Sequence, residues 1–503
     1  MTQLLLTSVR RYPDSNQQPL ELLIDSGRVE GWYSPGKAPR ANVDEVIDLE
    51  GRWIAPTFVD SHLHLLYTEQ HSKQVDLACL SVDEIDEKLS AKQSDVALIG
   101  HGWRDPIPEK MLPNPRRFLD QRFPEIPVLL WNADFHRVLV NSKLLDLLNK
   151  DSGHPGVLVE EEAEEAWNLV KSDPSDEVAG ACHRLLGFGI SAATTFDRGE
   201  SIKAFLKSTP GDHGVIVRHG LAEEEFLESL EGGDIPPVGG LEDDFAVRWV
   251  KIFVDGTLGS RTAWMKKDFS DDPGNRGVCR RSGESLFHTA REAALRGWGL
   301  ALHAIGDAAV HEAIHAIRVA QSVRPSHIKM SDRIEHLQLL DPEDIPLLIE
   351  SGAYASLQPC HLFEDRQIIR SRWGDRADFA IPFRQLMSEG VPVITGTDAP
   401  IESLDPWADI YAAVHRKNRD GSGVAEGPRQ RVTFEEAFLS KTAWAAVANQ
   451  LPSGYGTLKP GSRADFQVLE KEPQLVANHA ESGLVQVFTF GAWRLVGKGS
   501  LSL

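Results

Sequence analysis

The chain has 503 residues, of which 41% are hydrophobic and 25% charged, and its formal net charge is -21 at pH 7. This composition is typical of a globular protein with room for one large and one smaller domain. The negative charge argues against nucleic acid or an anionic membrane as a partner, because like charges repel.

The cysteines and the N-terminus indicate a cytoplasmic protein. The four cysteines, Cys79, Cys182, Cys279 and Cys360, form no CxxC pair, which is typical of free thiols in a reducing compartment. The N-terminal segment is too short and too polar for a signal peptide. No apolar run is long enough to span a membrane, so we expect a cytoplasmic location.

Both ends of the chain have the pattern of β-strands. Residues 20–24 and 29–32 flank the turn Asp25-Ser26-Gly27-Arg28 and predict a hairpin. Near the other end, residues 464–469 and 484–490 alternate in the same way. Because chain termini commonly lie close together, we predict one β-sandwich domain built from residues 1–55 and 457–503.

The middle of the chain, residues 56–456, alternates short apolar strands with longer amphipathic stretches, which is typical of a parallel sheet or barrel. The predicted strands lie at 59–64, 191–197, 214–219, 247–253, 299–305, 333–337, 354–358 and 391–397. Eight strands are the number that a TIM-type (β/α)8 barrel needs. A doubly wound sheet is the alternative, but no strand is followed by the glycine-rich phosphate loop that would support it.

One connection in this barrel is too long for a single helix. The segment 65–187 contains an apolar run at 128–131 and an acidic helical pattern around 160–167. Because a structureless loop of that length is rare in a compact domain, we predict an inserted subdomain over the barrel mouth. There it would shape a substrate pocket or act as a lid.

The first barrel strand ends in two histidines separated by one residue, His62 and His64. Alternate side chains of a strand point to the same face, so the two imidazoles project together, a spacing that suits one metal ion. The His-x-His pattern is short and common, however. By itself it leaves a metal site and a structural role equally open.

Four other barrel strands place a residue of metal-ligand type near their carboxyl ends: Lys251, His303, His336 and Asp398. Those strand ends meet at one rim of a barrel, and imidazoles with a carboxylate suit zinc or a similar divalent ion. Singly, each residue also has a structural explanation: a core histidine, a helix cap or a paired lysine. Their shared position favours a metal centre.

Several longer motifs occur in a fixed order along nearly the whole chain. They are Asp60-Ser61-His62-Leu63-His64, Phe135-His136 with Val140-Asn141-Ser142, Asp255-Gly256-Thr257-Leu258-Gly259-Ser260-Arg261, His303-Ala304-Ile305-Gly306-Asp307, Arg333-Ile334-Glu335-His336, Gln358-Pro359-Cys360-His361, Gly396-Thr397-Asp398-Ala399-Pro400 and Lys459-Pro460-Gly461-Ser462-Arg463-Ala464-Asp465. With these motifs the chain resembles the amidohydrolase superfamily, and within it the amidohydrolase family 3 branch, which includes N-substituted formamide deformylase-like enzymes.

The resemblance implies a ligand set. His62 and His64 would bind one ion together with Asp398, and His303 and His336 would bind a second. Lys251 matches a lysine that is N-carboxylated in similar enzymes and bridges both ions, and burial would favour the neutral amine that reacts with carbon dioxide. Zinc is the expected ion, and a one-metal site with the same residues stays open.

The resemblance also implies a reaction. We expect hydrolysis of a non-peptide C–N (amide) bond of a small molecule by metal-activated hydroxide, with Asp398 acting as base and then as acid. Deamination or ester hydrolysis at the same site is an alternative, as is a non-catalytic metal-binding relative. Similar enzymes are often dimers, so a homodimer is compatible with the resemblance.

Five residues are predicted from the resemblance to contact substrate: Trp103, His136, Asn141, Arg261 and His361. Three of them have structural alternatives. Trp103 could pack in a core, Asn141 could cap a helix, and Arg261 could pair with Asp255 instead of holding a substrate carboxylate. His136 and His361 lie where loops at the barrel rim would form the pocket.

Overall fold

The computed structural model describes most of the chain, and it divides the chain into two compact units. The first unit is Met1–Leu65 with Val178–Leu503, and the second is Leu66–Glu177. The described residues are 3–13, 18–78, 84, 87–89, 97–103, 114–132, 137–151, 153–232, 239–479 and 484–495.

The described strands are β1 (Gln3–Arg11), β2 (Leu20–Asp25), β3 (Arg28–Tyr33), β4 (Glu45–Asp48), β5 (Trp53–Pro56), β6 (Phe58–Leu63), β7 (Val75–Asp76), β8 (Leu98–Trp103), β9 (Val128–Asn132), β10 (Arg137–Val140), β11 (Val157–Val159), β12 (Ile190–Thr195), β13 (Ile216–Ala222), β14 (Phe245–Phe253), β15 (Gly299–Ala304), β16 (Arg333–His336), β17 (Tyr354–Leu357), β18 (Val393–Thr395), β19 (Phe466–Leu469), β20 (Leu484–Thr489) and β21 (Ala492–Leu495).

The described α-helices are α1 (Leu65–Lys73), α2 (Pro115–Asp120), α3 (Ser142–Leu147), α4 (Glu161–Val170), α5 (Pro174–Gly187), α6 (Ser201–Lys207), α7 (Glu223–Leu230), α8 (Gly283–Leu295), α9 (Asp307–Val323), α10 (Ile345–Ser351), α11 (His361–Trp373), α12 (Phe383–Ser388), α13 (Pro406–His415), α14 (Phe434–Leu439), α15 (Ala443–Ala448) and α16 (Pro473–His479). Short 3₁₀ helices lie at Pro210–His213, Pro342–Asp344, Gly374–Phe379 and Pro428–Gln430.

Eight parallel strands form the barrel of the first unit, in the order β6, β12, β13, β14, β15, β16, β17, β18. Six of these strands, β6, β12, β13, β15, β16 and β18, are buried along their whole length, as expected for a sheet covered on both faces. Helices follow the strands and form the outer layer. The predicted (β/α)8 fold is therefore confirmed.

The first and last barrel strands meet at their carboxyl ends. The Asp398 amide donates to the His62 carbonyl at 2.7 Å, and the His64 amide donates to the Ala399 carbonyl at 2.8 Å. Glycine is required at position 396, because a Cβ there would lie 2.3 Å from the backbone nitrogen of His62. This close approach brings the His-x-His pair beside Asp398.

The two ends of the chain form one mixed sheet, in the order β21, β20, β19, β5, β1, β2, β3, with β4 paired to β1. The predicted hairpin is present as β2 and β3, which are antiparallel. Strands from both ends share one apolar core, in which Leu6 and Leu22 pack in the same cluster as Phe466 and Val468. The sheet is thus completed only when both termini have come together, as the predicted fold class requires.

The second unit is built on the sheet β11, β10, β9, β8, β7. Side chains of β9 alternate between two apolar cores, with Val128 and Leu130 in one and Leu129 and Trp131 in the other. This alternation is the two-residue period of a strand buried on both faces. No helix in the described part of the chain is both long and apolar enough to cross a membrane.

Candidate active site

His62 and His64 are both oriented by a hydrogen bond through Nδ1. His62 Nδ1 donates to Glu335 Oε2 at 2.6 Å, and His64 Nδ1 donates to the Phe196 carbonyl at 3.2 Å. Both acceptors lack a proton, so each imidazole carries its proton on Nδ1 and presents the Nε2 lone pair. The two Nε2 atoms lie 3.4 and 3.6 Å from Asp398 Oδ1. Two imidazole nitrogens and a carboxylate oxygen therefore converge.

Glu335, which sequence reasoning left without a role, fixes the tautomer of His62. Its carboxylate is fully buried, and Arg333 Nε lies 2.5 Å from its second oxygen. Burial opposes ionisation, but the charge of Arg333 and the contact with His62 outweigh burial and lower the pKa of Glu335 to about 2. Glu335 is therefore ionised at neutral pH and keeps accepting the His62 proton. The only sequence signal was its place next to His336 on a barrel strand.

His303 and His336 lie side by side, with ring centroids 4.4 Å apart. His303 Nε2 donates to the Gly256 carbonyl at 3.0 Å, which leaves the Nδ1 lone pair. Nδ1 of both histidines is buried and has no hydrogen-bond partner among the described residues. Buried ring nitrogens normally have a partner, so the two Nδ1 atoms are suited to bind a metal ion.

Burial keeps His62 and His303 in the neutral form that can bind a metal. It lowers the pKa of His62 to about 4 and that of His303 to about 3, and Lys251 contributes to both shifts. Both imidazoles are thus neutral at pH 7. A neutral imidazole with an oriented lone pair is the usual nitrogen ligand of zinc.

Lys251 lies among aromatic side chains, with Nζ 4.4 Å from the ring centroid of Phe196 and 5.3 Å from that of Phe253. Burial lowers its pKa to about 8, although the charges of Glu335 and Asp398 oppose that shift. A substantial fraction of the amine is consequently neutral near physiological pH. The residue types and their environment fit the group of ligands predicted from the sequence.

All six predicted ligands, His62, His64, Lys251, His303, His336 and Asp398, line one cavity of about 390 Å³. This volume is within the range of small-molecule sites. Phe253, Leu258, Ile305 and Ile401 contribute apolar wall, and Asp365 contributes a carboxylate. The cavity thus has room for a small substrate beside the converging nitrogen and oxygen atoms.

His361, a predicted substrate contact, lies against Asp398, with Nε2 3.3 Å from Oδ2. Gln338 Nε2 donates to Asp365 Oδ2 at 3.3 Å and lies 3.1 Å from His361 Nδ1. Burial opposes a charged imidazole, but Asp398 outweighs burial and raises the pKa of His361 to about 9. His361 is therefore positively charged at pH 7 and forms a buried ion pair with Asp398, a pairing that the sequence did not indicate.

The side chains of Trp103 and Asn141 make the structural contacts that are the alternatives to binding substrate. The Trp103 side chain is buried in a core of the second unit, and its indole N–H donates to the Leu130 carbonyl at 2.8 Å. Asn141 is also fully buried; its Oδ1 caps α3 and accepts from Val128, while its Nδ2 donates to two carbonyls. These satisfied groups have structural roles in that unit. His136 lies outside the described residues.

Arg261 forms an ion pair with Asp271, with nitrogen–oxygen distances of 3.1 and 3.2 Å, and not with Asp255, which was the alternative to a substrate contact. Asp255 instead accepts the backbone N–H groups of Trp264, Ile305 and Gly306. These donors oppose the effect of burial, which raises the pKa of Asp255 to about 7. Arg261 is not among the described residues that line the cavity.

Comparisons with known proteins identify the family of the chain. A family model described as "Amidohydrolase family" matches residues 45–485. YtcJ of Bacillus subtilis (strain 168) is 30% identical over 462 residues, which cover 85% of this chain and 86% of that protein. The N-substituted formamide deformylase of Arthrobacter pascens is 24% identical over 93% of this chain and 92% of its own length. The crystal structure of an uncharacterized metal-dependent hydrolase from Pyrococcus furiosus superposes with a TM-score of 0.77, at 28% identity, over 94% of this chain and 99% of that one.

Proposed function

Because this chain belongs to the amidohydrolase family, we propose that it is a metal-dependent hydrolase that cleaves a non-peptide C–N bond of a small molecule. One observation carries the proposal. The Nε2 atoms of His62 and His64, each oriented by a bond through Nδ1, converge on Asp398 at the end of the barrel. A solved structure with a similar fold is that of a metal-dependent hydrolase.

His62, His64 and Asp398 would hold one divalent ion, and His303 and His336 would supply nitrogen ligands to a second. Zinc suits this set of imidazoles and carboxylate. Lys251, if N-carboxylated, would contribute an anionic oxygen ligand between them, since an uncharged amine reacts with carbon dioxide. When bound, the ion lowers the pKa of water and polarises a substrate carbonyl.

The side chains supply the proton transfers. The surrounding histidines outweigh burial and hold the pKa of Asp398 well below its usual range, so its carboxylate is ionised and can accept a proton from the attacking water. Asp398 then returns that proton to the leaving nitrogen. The positive charge of His361, whose Nε2 lies 3.3 Å from Asp398 Oδ2, stabilises the ionised carboxylate, while the apolar wall excludes water from the substrate.

The substrate is proposed to be an N-substituted amide. A relative that covers nearly the whole chain is an N-substituted formamide deformylase, and formamides bearing an apolar N-substituent match the mixed polar and apolar lining of the cavity. The products would be a carboxylic acid and an amine.

The test combines metal analysis with a substrate panel. Purified protein loaded with zinc is assayed against N-substituted formamides, cyclic amides, aryl esters and amino-substituted heterocycles, with His62→Ala as the inactive control. Hydrolysis of amides that depends on the ion supports the proposal. Turnover confined to esters, or ammonia release from a ring, would replace the amide assignment with one of those reactions. A protein that binds no metal and turns over nothing would be a non-catalytic relative.

A further inference from the structure

Asp60 joins the first and last barrel strands through its buried carboxylate. Its Oδ1 accepts the His62 backbone N–H at 3.1 Å and the Thr397 backbone N–H at 3.1 Å. Its Oδ2 accepts the Thr397 hydroxyl at 2.8 Å. Three hydrogen bonds from one carboxylate thus connect the backbone of a proposed ligand on β6 with the residue that precedes Asp398.

The Thr397 hydroxyl also binds the residue that follows Asp398. Thr397 Oγ1 accepts the Ala399 backbone N–H at 3.3 Å, and the Asp398 amide donates to the His62 carbonyl. Asp398 itself has a φ of 58°, in the left-handed region that residues other than glycine rarely adopt. A backbone held in this region needs support from its surroundings. The hydrogen bonds on both sides of Asp398 provide that support.

The carboxylate of Asp60 is only 1% exposed, so it needs donors and a countercharge. Lys441 supplies the positive charge: its Nζ lies 2.7 Å from Asp409 Oδ2, and both residues are buried. Burial disfavours the charged lysine, but the charges of Asp409 and Asp60 outweigh it and raise the pKa of Lys441. Lys441 therefore places a positive charge near the buried Asp60, and the three hydrogen bonds of Asp60 connect the two strands.

We infer that Asp60 and Thr397 form a clamp that positions His62 and Asp398 for one shared divalent ion. Both are positioning residues: neither lines the cavity among the described residues, and each acts through the backbone of a neighbour that does. The inference rests on the proposed function, since it explains how that metal site is kept in register. It adds a requirement that the ligand set alone does not contain.

The test compares two threonines that make the same kind of bond. Thr397→Val removes a buried hydroxyl that donates to a carboxylate. Thr289→Val is the matched control, because Thr289 on α8 donates its buried hydroxyl to Glu223 Oε1 at 3.0 Å in the outer helical layer. Thr397→Ser restores the hydroxyl. Zinc affinity is measured by competition with a chromogenic chelator, and thermal unfolding is measured on the metal-free full-length proteins.

Both valine variants are expected to lower the unfolding midpoint, because each loses a buried hydroxyl that donates to a carboxylate. Only Thr397→Val should also weaken zinc binding, by about 10- to 100-fold, as is usual when a residue that orients a ligand is lost. Thr397→Ser should bind zinc nearly as the wild type does. Asp60→Asn, which keeps the shape but removes the charge, should weaken zinc binding in the same direction.

Equal zinc affinity in Thr397→Val, Thr289→Val and the wild type would overturn the clamp and leave Thr397 with a purely structural role. A wild-type protein that binds no zinc would overturn the clamp together with the proposed function. A wild-type protein that binds zinc tightly but hydrolyses no amide would overturn the proposed function alone, while a zinc-affinity loss specific to Thr397→Val would still support the clamp.

Discussion

The two halves of the proposed metal centre differ in how many of their histidine nitrogens have a hydrogen-bond partner in the protein. In the first half-site, defined as His62, His64 and Asp398, each imidazole is anchored through Nδ1 and faces the carboxylate through Nε2. The second half-site is defined as His303, His336 and Lys251. In it, the Nδ1 atoms of the two histidines are buried without a hydrogen-bond partner among the described residues. The first half-site is therefore organised by the fold itself, whereas the second leaves buried nitrogens that a bound ion would satisfy.

Asp398 gives the largest expected effect, because Asp398 Oδ1 closes the first half-site while Oδ2 faces His361. Asp398→Asn keeps an oxygen that can ligate but loses the base, so kcat should fall by about 10²- to 10⁴-fold while zinc remains bound. The measurement is kcat together with zinc content, with Glu364→Gln, an exposed neighbour of Asp365, as the control. Turnover near the wild-type rate would remove Asp398 from its proposed catalytic role.

Replacing one histidine in each half-site sharpens the comparison directly. His62→Ala should abolish stoichiometric zinc binding, because the organised half-site loses an anchored nitrogen. His303→Ala should still retain one tightly bound ion at the first half-site. Zinc per chain after gel filtration, measured by elemental analysis, separates the two. Loss of all zinc in His303→Ala would mean that the halves form a single centre.

Glu335→Gln is expected to weaken zinc binding at the first half-site, although Glu335 is not itself a proposed ligand. The amide can no longer hold the His62 proton as firmly, so zinc affinity should fall by about 10- to 100-fold. The variant also leaves Arg333 buried beside an uncharged group, and the free energy of unfolding should fall by about 3–5 kcal/mol. Chelator competition and urea unfolding measure the two effects. An unchanged zinc affinity in a folded variant would show that the tautomer of His62 does not need Glu335.

The sequence predicted the barrel and the ligand-bearing strand ends because both follow from local patterns. Apolar strands recur along the chain, and the spacing of His62 and His64 puts them on one face. The partners that orient these residues could not be read in the same way. Glu335 lies 273 positions from His62, and periodicity reports which face a side chain takes but not which group it meets there.

The partners of Arg261 and Asn141 could not be predicted for the same reason. The motif around Arg261 does not indicate Asp271 as its partner, because Asp271 lies in an irregular stretch that has no periodic signal. The resemblance predicts that Asn141 contacts substrate, whereas the oxygen and the nitrogen of its side-chain amide both form hydrogen bonds inside the second unit. A motif identifies which residues occur together, whereas the competition among nearby donors and acceptors decides what each one does.

The smallest expected effect concerns acid unfolding. Glu436, like Glu335, has a low carboxyl pKa, but Glu436 does not line the cavity and serves as a comparison. Arg384 and Thr433 lower the pKa of Glu436 from 4.5 to about 2. A depressed carboxyl pKa adds stability above the unfolded value of 4.5, and this stability is lost as the pH falls from there towards 2. Because the ion pair of Glu436 with Arg384 is partly exposed and screened by solvent, the contribution is about 1 kcal/mol.

Glu436→Gln should therefore reduce the pH dependence of unfolding between pH 4.5 and 2 while leaving zinc affinity at pH 7 unchanged. Glu335→Gln should alter both quantities, since its carboxylate anchors a proposed ligand. The two variants are compared by urea unfolding across this pH range and by chelator competition at pH 7. Equal weakening of zinc binding in Glu436→Gln and Glu335→Gln would mean that the effect of Glu335 reflects the general stability of the protein. The hydrogen bond between His62 and Glu335 would then not be what organises the first half-site.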